Sequence, residues 1–295
     1  MKACEWRHGG GRLFIGIGRK REVGMMNRTF YVLLLAALLS GTVNAAMPAR
    51  VSTGLEQRMQ TLHPNSEVAI IIRFAGMPDL SAFRNLKRTE RRAQIILALQ
   101  QENARSEKPL LNYLRGRPSR GLKSLWLING TAVRVPARLL DELRRLPGVE
   151  SISLDATLAA PSPLAGTTAP AEWNLDMIGA KQLWQQGYNG QGIVIATMDT
   201  GVDALHPDIG PKWRGGSNSW YDPSGEHPSP YDANGHGTQT MGLILGGNNS
   251  GTAIGVAPGA QWIAAKIFND AGNASYSNIH LAFQWLLDPD GNPAV

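Results

Sequence analysis

Cysteine is almost missing from this chain. Cys4 is the only one in 295 residues, which excludes a disulfide framework. Membrane-length apolar runs are missing as well: Phe30–Leu39 (FYVLLLAALL) has ten residues, and a spanning helix needs about 20. Lysine and arginine are scarce toward the C-terminus. Residues 171–295 hold 4 of them against 11 Asp/Glu, a net of −7, whereas residues 46–170 hold 18 against 10, a net of +8. The overall charge of +6 is therefore a sum of unlike parts. No groove-reading or base-stacking motif accompanies the basic part, so no nucleic-acid partner is expected. Opposite charges on two segments of one chain instead favour their docking.

The ten-residue run belongs to a targeting segment. Met26-Asn27-Arg28 supplies a basic start, and Val43-Asn44-Ala45 fits a small-x-small cleavage pattern that puts the cut before Ala46. Residues 26–45 thus read as a signal peptide, and residues 1–25 as an upstream extension with translation starting at Met25 or Met26. The expected location is outside the cytoplasm, secreted or periplasmic. No membrane anchor is expected in the mature form.

Residues 46–157 read as one module. Val68–Phe74 is a strand-like apolar run. Residues 88–113 have helical spacing, with Pro109 ending or kinking the helix. Ser124–Ile128 reads as a strand, Asn129-Gly130 as a turn, and Thr131–Val135 as the returning strand. Leu139, Leu140, Leu143 and Leu146 give a helix after Pro136 its apolar face, and Val149–Leu154 alternates as a last strand. The order β-α-β-β-α-β is that of a ferredoxin-like α+β module. Residues 158–170 are rich in Ala, Pro, Ser and Thr and read as an exposed linker or processing region.

From residue 171 the pattern is α/β with a parallel sheet. Ile193–Met198 and Gln261–Phe268 are apolar runs of buried strands. Ala180–Gln186, His236–Leu245 and Tyr276–Leu287 read as helices, and Trp213–Asn234 as a polar loop. Asp199 ends the first strand, at the sheet edge where ligands and catalytic groups gather. A carboxylate there can hold a histidine's Nδ1–H and fix its tautomer. His236 stands between two glycines at the mouth of the next helix. Either residue alone could equally be a turn cap or an ordinary helix-start histidine; the two contexts together point to chemistry.

The strings Asp199–Asp208 (DTGVDALHPD) and Gly235-His236-Gly237-Thr238 resemble the aspartate and histidine segments of the subtilisin-like serine peptidases, the subtilases. The likeness is greatest to the bacillopeptidase F branch, through the Trp220-Tyr221-Asp222 insertion and the Asn292-Pro293 stretch. The resemblance implies a serine endopeptidase acting on polypeptides, with Asp199 orienting and His236 as general base and acid. It implies that residues 46–157 are a prosegment that assists folding and inhibits the site, and that residues 171–295 are the N-terminal half of a catalytic domain. It places substrate-binding groups at Gly272, Asn273, Ala274 and Tyr276, on an edge strand that pairs with extended peptide. No cofactor is needed for the chemistry, and a Ca²⁺ loop is implied at Asp208 and Asn249. Gln239 stands where the family has a second histidine and is discounted, since that position is not a triad member. None of Ser250, Ser275 and Ser277 has the context of the nucleophile. The sequence as written is thus expected to be a fragment, inactive toward peptides. The competing expectation is a catalytically dead peptide-binding or folding-aid protein. A metal hydrolase built on His206, Asp208 and His236 lacks a ligand spacing.

Overall fold

The computed structural model describes residues 48–164 and 172–293. The signal peptide, the upstream extension and residues 165–170 of the linker expected from the sequence lie outside these residues. In the first module β1 (Arg50–Val51) leads into α1 (Thr53–Met59), which Ser52 starts by accepting the Leu55 N–H at its hydroxyl. Then come β2 (Glu67–Phe74), α2 (Arg88–Ser106), α3 (Lys108–Leu114), β3 (Arg120–Leu125), β4 (Gly130–Pro136), α4 (Leu140–Leu143) and β5 (Val149–Leu154). The sheet order is β1-β5-β2-β4-β3, and the four long strands are antiparallel. That is the ferredoxin-like arrangement, with β1 added on one edge in parallel.

Alternation along β2 decides which residues face which layer. Val68, Ile70, Ile72 and Phe74 are buried against Leu55, Leu110, Leu114, Leu139 and Leu143 from the helices and their flanks. Ile71 points the other way, with Leu125 and Ala132. The helix expected over 88–113 is two helices, with Pro109 accommodated in the first turn of α3. The strand expected over Ser124–Ile128 is a correction: it starts earlier, at Arg120, and Trp126–Ile128 curls into a 3₁₀ turn. The cause is Asn129, held left-handed (φ 48°) while its Nδ2 donates to the Gly76 carbonyl at 2.8 Å. The turn also buries Trp126 against Ile96 and Leu99.

The expected linker begins as structure. β6 (Thr157–Ala159) follows β5 after two residues. After it come α5 (Trp173–Met177), α6 (Ala180–Gln185), β7 (Val194–Asp199), β8 (Trp220–Tyr221), α7 (His236–Leu245), β9 (Gln261–Lys266), β10 (Asn273–Ser275) and α8 (Tyr276–Leu287). β7, β9 and β8 form a parallel sheet in that order, with Asp199 level with Lys266. β8 lies inside the stretch expected to be plain loop. Met241 and Leu245 of α7 pack on one face with Trp262, Val202 and Ile209. Ala282 and Ile279 of α8 pack on the other with Ala265, Ile267 and Met198. Among the described residues no helix is long and apolar enough to cross a membrane.

The two modules meet along α8 and β10. Leu281 of α8 lies against Ile71, Leu125 and Ala132, the sheet face not covered by the first module's own helices. β6 pairs antiparallel with β10, so Thr157, Leu158 and Ala159 oppose Ser275, Ala274 and Asn273. Asp155 accepts the Ser277 N–H (2.8 Å) and hydroxyl (2.6 Å) at the start of α8, and Lys123 Nζ donates to Asn278 Oδ1 at 2.6 Å. Burial lowers the Lys123 ammonium's pKa, with the Asp155 charge acting against that shift. No ion pair joins the modules among the described residues. Their opposite net charges can act only at longer range.

Candidate active site

β7 delivers Asp199 to the sheet edge, buried, and α7 begins with His236 directly opposite. His236 Nδ1 lies 2.8 Å from Asp199 Oδ1 and 3.0 Å from Oδ2. A carboxylate only accepts, so Nδ1 carries the proton and Nε2 presents its lone pair. Nε2 takes no partner among the described residues, and the side chain is 28% exposed. The imidazole is therefore oriented from behind and open in front, which is what a general base requires.

The surroundings fix both groups. The Thr200 N–H donates to Asp199 Oδ1 at 2.7 Å, and the Gly237 N–H donates to Thr200 Oγ1 at 2.8 Å. Gly201 (φ 122°) and Gly237 let the turn after β7 and the start of α7 touch. A Cβ on Gly201 would overlap the Tyr231 carbonyl oxygen, and one on Gly237 the Gly201 oxygen. Lys266, fully buried beside this turn, donates from Nζ to the Thr200 and Phe268 carbonyls, both at 2.9 Å.

One residue here was missed in the sequence. Asp232 accepts the Gly235 N–H (2.9 Å) and the Asn234 N–H (3.1 Å) at Oδ1. At Oδ2 it accepts the Thr238 N–H (2.9 Å) and hydroxyl (2.6 Å). It thus closes the loop whose end carries His236. Burial pushes this carboxyl up, but the hydrogen bonds from Thr238, Gly235 and Thr200 outweigh burial and hold it below 3.8. The signal available was an aspartate four residues before a histidine at a helix start, which is a loop-capping pattern.

The substrate-side residues come together at β10 and the start of α8. Asn273 and Ala274 lie on β10 with Gly272 just before it, and the chain's own β6 occupies that edge. The Ala160 N–H donates to the Gly272 carbonyl at 2.8 Å, and the Tyr276 N–H to the Ala156 carbonyl at 3.0 Å. The Tyr276 side chain is exposed.

Asp208 is buried, accepts the Ser250 N–H at Oδ1 (3.3 Å), and has an Oδ2 with no partner among the described residues. Asn249 directs its Nδ2 to the Pro207 carbonyl at 2.9 Å, which leaves its Oδ1 free to coordinate. An orphaned carboxylate oxygen and a free amide oxygen are ligand types that suit a hard cation such as Ca²⁺. His206 accepts the Asp208 N–H in a local turn and does not join His236. Glu226, His227 and Asp270 do converge within metal-ligand reach. They are already engaged: His227 Nε2 is 2.8 Å from Asp270, whose second oxygen meets Lys266.

The subtilase family's sequence pattern matches residues 190–294, the stretch that holds both Asp199 and His236. That segment is a subtilase segment. Bacillopeptidase F of Bacillus subtilis (strain 168) is 30% identical over 260 residues, covering 78% of this chain and 18% of the relative. The M-protease of Shouchella clausii (strain KSM-K16) is 34% identical over 163 residues, 51% of this chain and 41% of that one. Fervidolysin from Fervidobacterium pennivorans, described as a keratinolytic enzyme related to subtilisin, superimposes with a TM-score of 0.50 at 17% identity. That superposition covers 81% of this chain and 36% of fervidolysin. The chain thus spans less than half the length of each of these relatives, and the fold it shares with fervidolysin includes the mixed α/β architecture described above.

Proposed function

We propose that this chain is the N-terminal part of a subtilase precursor, an exported serine endopeptidase acting on extended polypeptide. Residues 46–157 act as its inhibitory prosegment. The observation that carries the reading is the Asp199–His236 pair, 2.8 Å apart at the carboxyl edge of a parallel sheet with Nε2 open. His236 Nε2 takes the proton of a serine hydroxyl as the oxygen attacks the peptide carbonyl. It then returns the proton to the leaving amine, leaving an ester that water hydrolyses by the same two transfers. Asp199 keeps the proton on Nδ1 and stabilises the imidazolium. The occupied β10 edge supports the prosegment role, because a strand on that edge excludes another peptide from it.

Within the described residues no serine takes the nucleophile's part. Ser275 and Ser277 are committed to the start of α8, and Ser250 lies in the Asp208 loop. The test therefore uses protein expressed from the whole reading frame. It is expected to hydrolyse an unfolded polypeptide, and Asp199→Asn is expected to lower kcat by about 10⁴-fold. Residues 1–295 alone are expected to take no label from a fluorophosphonate serine probe. Hydrolysis that survives loss of either Asp199 or His236 would overturn the reading. Absence of hydrolysis, with retained binding of extended peptide, would favour the dead peptide-binding or folding-aid alternative.

Asp208 and Asn249 would hold a Ca²⁺ ion that stiffens the 247–254 loop and takes no part in the chemistry. Millimolar Ca²⁺ is expected to raise the thermal midpoint of the wild type and not of Asp208→Asn. An equal rise in both would sink the assignment.

A further inference from the structure

Gln239 stands three residues after His236 on α7, so the two side chains share a helix face. Its carboxamide makes two hydrogen bonds to one residue of the segment that follows β6. Oε1 accepts the Leu164 N–H at 2.8 Å, and Nε2 donates to the Leu164 carbonyl at 3.0 Å. A primary amide held this way offers the same donor–acceptor pair that a neighbouring strand would offer. The Leu164 side chain itself is 76% exposed, so the main chain is what is held.

The segment is anchored at its other end by the Ala160 N–H on Gly272. Between the anchors it passes the start of α7, with the Pro163 ring 3.8 Å from where a Cβ on Gly235 would sit. Pro161 and Pro163 bring no N–H, so between Ala160 and Leu164 only Ser162 could donate. Gln239 thus supplies the hydrogen bonds that β10 cannot extend far enough to give.

We propose that Gln239 is a main-chain binding residue of the peptide groove. It grips one residue of an extended polypeptide by its N–H and C=O, whatever the side chain, four residues past the last strand-type contact. In this chain the gripped residue is Leu164, and the grip holds residues 160–164 beside His236. The inference rests on the reading of this surface as a peptide groove.

The test is amide hydrogen exchange on the intact 295-residue chain, which involves no turnover and so can fail separately from the peptidase reading. In the wild type the Leu164 amide is expected to be protected. Gln239→Ala is expected to speed its exchange at least tenfold, while Ala160 and the β7 amides change less than twofold. Leu164→Gly is expected to keep the protection. Gln239→Glu is the sharper variant, because its carboxylate sets a negative oxygen against the Leu164 carbonyl oxygen in place of a donor, and that repulsion opposes the paired geometry. It is expected to lose protection at neutral pH and to regain it near pH 4, once the carboxyl is protonated. An unprotected Leu164 in the wild type would overturn the proposal. So would protection unchanged in Gln239→Ala, or protection lost in Leu164→Gly.

Discussion

Asp232 makes four hydrogen bonds to the loop and first turn that carry His236, yet it hydrogen-bonds to neither the His236 nor the Asp199 side chain. Its effect is on where the imidazole starts from. Asp232→Asn removes the charge from this loop cap and is expected to cost about 1–3 kcal/mol of stability. The pH dependence has a defined sign. Because the folded value lies below 3.8, the stabilisation is fully present above about pH 4 and is lost as pH falls through the depressed value. Acid unfolding followed by circular dichroism is therefore expected to show a steeper limb below pH 4 in the wild type than in the asparagine variant. Identical limbs would count against the role given to Asp232. Gln239 teaches a related lesson. A search for triad members passes over a glutamine, because its contribution depends on which main chain folds back onto it, and that partner lies 75 residues earlier.

At the scale of elements, the legible parts were those set by local sequence pattern. The apolar run before Asp199 is a strand, as its composition indicated, but not the covered one expected: Ile193 and Val194 are exposed, and of β7 only Asp199 is buried. α7 and α8 run over the residues their spacing indicated. What stayed hidden depended on distant partners. Thr157–Ala159 has linker composition and becomes a strand only because β10 offers an edge. Trp220–Tyr221 becomes one only beside β9. The 3₁₀ turn at Trp126–Ile128 follows from the left-handed Asn129, which a strand pattern does not register. Of the site, Asp199 and His236 were legible from short strings, whereas Asp232 required the loop's hydrogen bonds. The α8 start gives an element-level prediction. Ser275 caps α8 by accepting the Asn278 N–H, and Asp155 adds an acceptor from another module for the Ser277 N–H; Asp155→Ala is expected to cost about 1 kcal/mol. Limited proteolysis should then cut residues 157–164 faster than in the wild type. An unchanged cutting rate would show that β6 is held by β10 alone.

For the whole molecule, the N-terminal module gives the C-terminal one a sheet face for Leu281, an acceptor for the first turn of α8 and a strand for β10. All three are neutral or locally compensated contacts, with no cross-module ion pair among the described residues. Because one chain carries both modules, β6 faces β10 at an effective concentration set by the covalent connection rather than by dilution. One cut between residues 164 and 172 would abolish that tether. The same surfaces would then meet as two molecules, and their association would begin to depend on dilution.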